Sequence, residues 1–247
     1  MENSIFEEIN KQSGSQLIIT CEHAGAQIPE EYNSLGVSAE NLDTHIARDK
    51  GAREVSHLLA QKLGCYAITG KYSRLLIDLN RRPNEDDLIV ATSDKTDIPA
   101  NQNLDETERA NRLEKYYYPY YQAIEKQVAH IRGLGKKPVF FSVHSFTPQL
   151  KGGEYRPWNA GILWHKPSAL AQFVYEKLQN RADKKVGANV PYDLQKCNTG
   201  AVVICGEEKG YDYGLIEIRD DEFDNMNQGA DWWAANLADI LQKYLTK

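Results

Sequence analysis

Apolar residues recur along the chain in short, nearly unbroken runs separated by longer amphipathic stretches. The runs at residues 16–21, 65–69, 73–79, 138–143, 159–164, 201–205 and 214–219 are too short for helices and rich in branched or bulky side chains, the pattern of buried strands. Helical spacing fills most of the intervals. Residues 49–63 place Ala52, Val55, Leu58, Leu59 and Leu63 on one stripe that ends at Gly64, a C-cap. Asp105 and Glu108 resemble a capping box opening a segment that runs through Leu113, Tyr117, Tyr121, Ile124, Val128 and Ile131 to Gly133, with Pro119 predicting a kink. Residues 230–241 predict a closing amphipathic helix. This alternation predicts an α/β fold with a mixed, mostly parallel central sheet and helices on both faces. Residues 84–103 are polar, contain Pro99 and lack periodicity, so they predict a long surface loop of the kind used as a lid or substrate contact. With no repeat or linker, residues 1–247 read as a single domain.

Charge and cysteine usage narrow the function. A formal net charge of −6 without a long basic cluster opposes binding to phosphate backbones, so nucleic acid is not an expected partner. Cys21, Cys65, Cys197 and Cys205 show no C-x-x-C spacing, and Cys21 and Cys205 sit in apolar runs as expected of buried thiols. The acidic start Met1-Glu2-Asn3-Ser4-Ile5-Phe6-Glu7-Glu8 lacks the pattern of a signal peptide, and no apolar segment approaches the ~20 residues needed to span a bilayer. A soluble cytoplasmic protein is the expectation.

Two of the apolar runs end in histidine, His23 and His144, at the strand ends where ligands collect in open α/β sheets. Between them His45 and Asp49 are four residues apart and share a face if this stretch is helical. Imidazole nitrogen and carboxylate oxygen are ordinary zinc ligands, and a hydrolytic zinc uses three of them with a fourth position for water. His23, Asp49 and His144 are the favoured set. His45 is a fourth ligand or a support for the others, His57 and His130 read as structural, and His165 is a weaker candidate.

In an extended chain Arg74, Asp78 and Asn80 share one face, with Arg81 and Arg82 following. Arginines so concentrated suit an acidic substrate, and an internal ion-pair network around Asp78 fits the same spacing equally well. Glu217 and Arg219 lie together on one face of a late strand, either as general base and anion holder or as a simple ion pair. No G-x-S-x-G elbow, P-loop or G-x-G-x-x-G occurs, leaving hydrolysis by metal-activated water.

Together these segments resemble the N-formylglutamate amidohydrolase family. The resemblance covers most of the chain: Glu22-His23-Ala24-Gly25 with Pro29, His45 through Ala52, Ser73-Arg74 through Asn80-Arg81, Val143-His144-Ser145-Phe146, Asn189 with Pro191-Tyr192, and Ile216-Glu217-Ile218-Arg219. The family is similar to zinc carboxypeptidases and aspartoacylases, which implies a phosphorylase/hydrolase-like fold and hydrolysis of the amide of a small acidic N-acyl amino acid such as N-formylglutamate. In those relatives a D-x-N-R segment supplies substrate-binding Asn and Arg, matched here by Asp78-Leu79-Asn80-Arg81, and a late glutamate acts as base, matched by Glu217. The implied site has Zn2+ on His23, Asp49 and His144, Glu217 as base, and Arg74, Asn80, Arg81 and Arg219 on the substrate. Two positions depart from the pattern. Ala26 stands where zinc carboxypeptidases place the glutamate of H-x-x-E, with Asp49 as its replacement, and no histidine occurs between Thr199 and Gly206, where members tend to carry one after N-x-P-Y. A zinc amidase or carboxypeptidase acting on peptide or cell-wall fragments, and a non-catalytic binder of acidic metabolites, remain the alternatives.

Overall fold

The computed structural model describes residues 4–181, 183–196 and 200–247, so Cys197 and Thr199 lie outside the described residues. In chain order the elements are β1 (Phe6–Ile9), β2 (Leu17–Cys21), α1 (Ala39–Leu42), α2 (Ala52–Leu63), β3 (Tyr66–Gly70), β4 (Thr92–Ser93), β5 (Thr96–Asp97), α3 (Glu106–Arg112), α4 (Tyr118–Gly133), β6 (Val139–Phe146), β7 (Ala160–Leu163), α5 (Ala169–Gln179), β8 (Val186–Ala188), β9 (Asp212–Arg219) and α6 (Met226–Leu245). Seven strands form one sheet in the order β1-β3-β2-β6-β9-β7-β8. β3, β2, β6 and β9 are parallel, β1 and β7 run antiparallel to their neighbours β3 and β9, and β8 is parallel to β7.

Side-chain alternation decides how the helices cover this sheet. Leu17, Ile19, Cys21, Phe141, Val143, Ile216 and Ile218 face α2, α5 and α6, where Val55, Leu59, Val174, Trp233, Leu237 and Leu241 complete one core. The alternate positions Ile18, Phe140 and Leu215 face α4, meeting Tyr120, Ile124 and Ile131. Both faces are therefore dry, and each fully buried Leu or Ile contributes roughly 1.5–3 kcal/mol relative to exposure. The caps hold where the spacing placed them: Gly64 ends α2 at φ 57°, and the Asp105 side chain accepts from the Glu108 amide at the start of α3. Pro119 cannot donate to a preceding carbonyl, and the chain widens into a π-turn over Leu113–Tyr117 just before it.

Two expected strands are not strands. Residues 73–79 fold as turns, with the Leu76 amide donating to the Ser73 carbonyl at 2.9 Å and the Asp78 amide to the Leu88 carbonyl at 2.8 Å. The strand beside β3 at that edge of the sheet is β1, too short and charged to stand out in the sequence. Residues 201–205 belong to a π-turn over Val202–Gly206 that packs its apolar side chains against the α4-side core. A short apolar run has no periodicity that separates a buried strand from a buried helical turn. The 84–103 segment is also more ordered than a surface loop: it holds the β4–β5 hairpin, and buried Asn101 donates to the carbonyls of Leu75 and Val90, both at 2.8 Å.

Candidate active site and metal centre

At the carboxyl ends of β2, β6 and β9 a cavity of about 400 Å³ opens, lined among others by His23, Asp49, Arg74, Asn80, Arg81, Ser145, Tyr192 and Glu217. His144 on β6 sits in register with Glu217 on β9, on the same sheet face as Phe140 and Leu215. His23 follows β2 directly and fixes Asp49, whose amide donates to the His23 carbonyl at 2.9 Å. Gly51, in the left-handed region at φ 79°, then caps α2. His45 to Asp49 is accordingly a chain of turns rather than a helix.

His23, Asp49 and His144 are buried and offer ligand atoms all within 4.8 Å of one another. Asp49 Oδ2 is 2.8 Å from His144 Nδ1 and 3.4 Å from His23 Nδ1, the two atoms that face each other across the carboxylate. The far ring nitrogens are held by other acids: His23 Nε2 is 2.6 Å from Asp78 Oδ1, and His144 Nε2 is 2.9 Å from Glu22 Oε2. Carboxylates in those places fix which nitrogen carries the proton and turn both Nδ1 atoms inward, as in carboxylate–histidine–metal arrangements. His23 Nδ1 is buried without a hydrogen-bond partner. Such an orphan, with a carboxylate and a second Nδ1 beside it, fits a bound divalent cation, and the buried His–Asp–His group can hold one.

Glu22 and Asp78 are held as tightly as the groups they support. Ser142 Oγ donates to Glu22 Oε2 at 2.8 Å and Tyr120 to Oε1 at 3.0 Å, while Arg74 Nη2 donates to Asp78 Oδ2 at 2.8 Å. Burial alone would favour the neutral carboxyl in both, but hydrogen bonds and charge from His144 at Glu22, and the charges of Arg74 and His23 at Asp78, keep each pKa below its ordinary value. Burial likewise disfavours charge on His144, yet its hydrogen bonds to Asp49 and Glu22 raise its pKa well above the usual histidine value. Glu217 differs. Its Oε2 is buried without a partner, and burial, aided by the negative charge of Asp49 against the opposing His144, His23 and Arg74, pushes its pKa up to about 7.

The remaining expected residues divide. Arg74, Asn80 and Arg81 line the cavity, although the turns at 73–79 overturn the extended face on which Arg74, Asp78 and Asn80 were placed; Arg74 still meets Asp78 because a turn also brings i and i+4 together. Arg219 is not among the lining residues: its Nε donates to Asp221 at 2.7 Å and its ring-facing side stacks on Tyr155 at 5.4 Å. His45 lies 3.2 Å from Asp94 and is not part of the His–Asp–His group. His165 pairs with Glu207 at 2.9 Å and His57 with Glu7 at 3.2 Å.

The sequence reading gave no role to Glu22, Ser145 or Tyr192, which the fold brings to the site, while Glu85 and Asp87 reach the cavity from the 84–103 segment expected to contact substrate. For Tyr192 the enabling feature is Gly161 on β7, where a Cβ would lie 1.6 Å from the Val190 carbonyl oxygen. Without a side chain there, the 189–192 stretch crosses close over the strand and carries Tyr192 to the cavity.

The fold is shared with the zinc-free apo form of YndL at a TM-score of 0.51 and 11% identity over 100% of this chain and 92% of that one. The chain belongs to the N-formylglutamate amidohydrolase family, which it matches over residues 15–223. A gene product, Atu2144 from Agrobacterium tumefaciens, is 32% identical with a TM-score of 0.91, covering 99% of this chain and 96% of that one. An N-formylglutamate amidohydrolase from Ralstonia eutropha JMP134 is 16% identical with a TM-score of 0.71, covering 96% and 98% respectively. No curated protein sequence matches significantly.

Proposed function

We propose that the chain is a zinc-dependent amidohydrolase cleaving the amide bond of an N-acyl amino acid, with N-formylglutamate the first substrate to test. The observation that carries this reading is the inward pair of imidazole Nδ1 atoms on one Asp49 oxygen, with the His23 atom orphaned, beside an unpartnered Glu217 oxygen. The family supports amide hydrolysis, and the neighbour YndL has a zinc-free apo form. Held by His23, Asp49 and His144, zinc would supply polarisation of the acyl carbonyl and acidify a water molecule.

Glu217 takes the proton from the attacking water as its oxygen adds to the acyl carbon. The same carboxyl then gives that proton to the amine nitrogen as the C–N bond breaks, leaving a carboxylic acid and an amine, and transfer of the water's second proton between them gives the carboxylate and the ammonium. A base with a pKa near neutrality can do both. Arg74, whose Nη1 is 3.9 Å from Asp49 Oδ1, stands where negative charge develops on the carbonyl oxygen and stabilises it. Asn80 and Arg81 hold the substrate along the cavity wall, whose volume suits a small molecule. Arg219 acts from outside the lining, donating to the Arg156 carbonyl at 3.2 Å and fixing that part of the rim.

The test is metal analysis of the purified protein alongside turnover across N-acyl amino acids. Near-stoichiometric zinc that drops sharply in folded His23→Ala and His144→Ala, with hydrolysis of at least one N-acyl amino acid, is the expected result. Unchanged metal content in both variants removes the metal assignment.

A further inference from the structure

Leu79, Asn80 and Arg81 lie in turns, and side chains rather than a sheet ladder or a helix satisfy their carbonyls. Tyr121 donates to the Leu79 carbonyl at 2.7 Å, Arg81 Nη1 to the Asn80 carbonyl at 3.2 Å, and Tyr117 to the Arg81 carbonyl at 2.8 Å. The two tyrosines therefore bracket Asn80 and Arg81, both of which line the cavity.

Tyr121 belongs to α4 and Tyr117 to the π-turn that precedes it. Their rings stack with centres 4.6 Å apart and planes at 27°, so each phenol is held by the other. Burial raises both phenol pKa values, which keeps the donated protons in place. The same helical arm repeats the pattern on either side: Arg112 Nη1 donates to the Leu76 carbonyl at 3.0 Å, and Arg109 Nη2 to the Pro83 and Glu85 carbonyls at 2.9 Å each. This arm is thus a splint along residues 76–85. Packing alone would be served by phenylalanine at 117 and 121. The hydroxyls add donors where the turn carbonyls of Leu79 and Arg81 need them, and without them those carbonyls must shift or go unpaired.

We propose that Tyr117 and Tyr121 are positioning residues, which through the Arg81 and Leu79 carbonyls set where the Asn80 and Arg81 side chains meet the substrate. The part that Asn80 and Arg81 play on the substrate rests on the amidohydrolase reading; the bracing of their backbone does not. Loosening groups that hold the substrate away from the scissile bond acts mainly on KM.

The test uses Tyr117→Phe and Tyr121→Phe separately in the zinc-loaded full chain, each of which keeps the ring and removes only the donor; loss of the fold in one leaves the other to decide. Backbone hydrogen exchange is followed at residues 79–82 and, for comparison, on β6 and β9. Steady-state hydrolysis of N-formylglutamate is measured for each variant and for Tyr117→Phe combined with Arg81→Ala. Exchange at residues 79–82 should quicken by at least about threefold while β6 and β9 are unchanged. KM should rise roughly three- to tenfold with kcat within about twofold of wild type, and Tyr117→Phe should raise KM less in Arg81→Ala than it does alone. Unchanged exchange at residues 79–82, an unchanged KM, or a KM increase of the same size in Arg81→Ala overturns the proposal and leaves the tyrosines to packing. If the wild type does not hydrolyse N-formylglutamate, the amidohydrolase reading suffers and exchange decides the positioning by itself: faster exchange at residues 79–82 upholds it, and unchanged exchange overturns it.

Discussion

Glu217 owes its chemistry to its surroundings. A carboxylate on a strand is ordinarily acidic, but here burial removes its hydration and Asp49 adds a like charge, so that it can exchange a proton near neutral pH. Glu217→Gln should keep metal content and melting temperature while lowering kcat by roughly 10²–10⁴-fold, the usual cost of losing a general base. A variant with near wild-type kcat returns Glu217 to a structural role. At this scale His23, His144 and Glu217 could be picked from sequence because each is a polar residue ending or interrupting an apolar run, whereas Asp49 was picked for its spacing from His45, on a stretch that folds as turns and not as a helix. Glu22 could not, although it adjoins His23. Its role comes from Ser142 and Tyr120, more than 90 positions away in the chain, which hold its carboxylate under His144.

Secondary elements show the same division between local and distant causes. Strands β2, β3, β6, β7 and β9 were legible because both of their faces are buried, which makes the runs apolar throughout. β1 and β8 are short edge strands with half-exposed residues, and edges carry little of that signal. The π-turn after residue 201 leads into Glu207, which accepts from the Tyr213 hydroxyl on β9, from His165 Nδ1 at 2.9 Å and from the Lys166 amide at 2.9 Å, tying the β7–α5 connection to β9. Burial opposes the charged form, but these hydrogen bonds outweigh it and lower the Glu207 pKa to about 2. Because the folded value lies below the unfolded one of about 4.3, the carboxylate contributes stability that is fully present above that unfolded value. The contribution is lost as pH falls toward 2. Glu207→Gln should therefore be less stable than wild type in urea titrations at pH 7, and the gap should narrow progressively from pH 5 downward. A gap that stays constant over that range assigns the loss to packing rather than to ionisation.

For the whole molecule, alternation of apolar runs and helical stripes was enough to specify a mostly parallel sheet covered on both faces, because those two periodicities follow from burial alone. Strand order was not accessible: β6 enters between β2 and β9 through contacts that no local pattern encodes. That order nevertheless creates the site, since it sets β2, β6 and β9 side by side and directs His23, His144 and Glu217 to one end. The price of the arrangement is a cluster of buried acids, Glu22, Asp49, Asp78 and Glu217, brought together only in the folded chain. A divalent cation that binds this cluster, and does not bind the unfolded chain, must stabilise the fold by RT ln(1 + [L]/Kd), or about 2.7 kcal/mol at a hundredfold excess over Kd. For a chain of this size each kcal/mol corresponds to ~2–4 °C, so zinc added to chelator-treated protein should raise Tm by roughly 5–10 °C. His144→Ala, which removes a ligand atom and leaves Glu22 without its partner, should melt lower than wild type and respond little to zinc. A wild-type Tm indifferent to zinc across the micromolar range would mean that the acids are balanced by His23, His144 and Arg74 alone, and the metal would then have no place in the folded site.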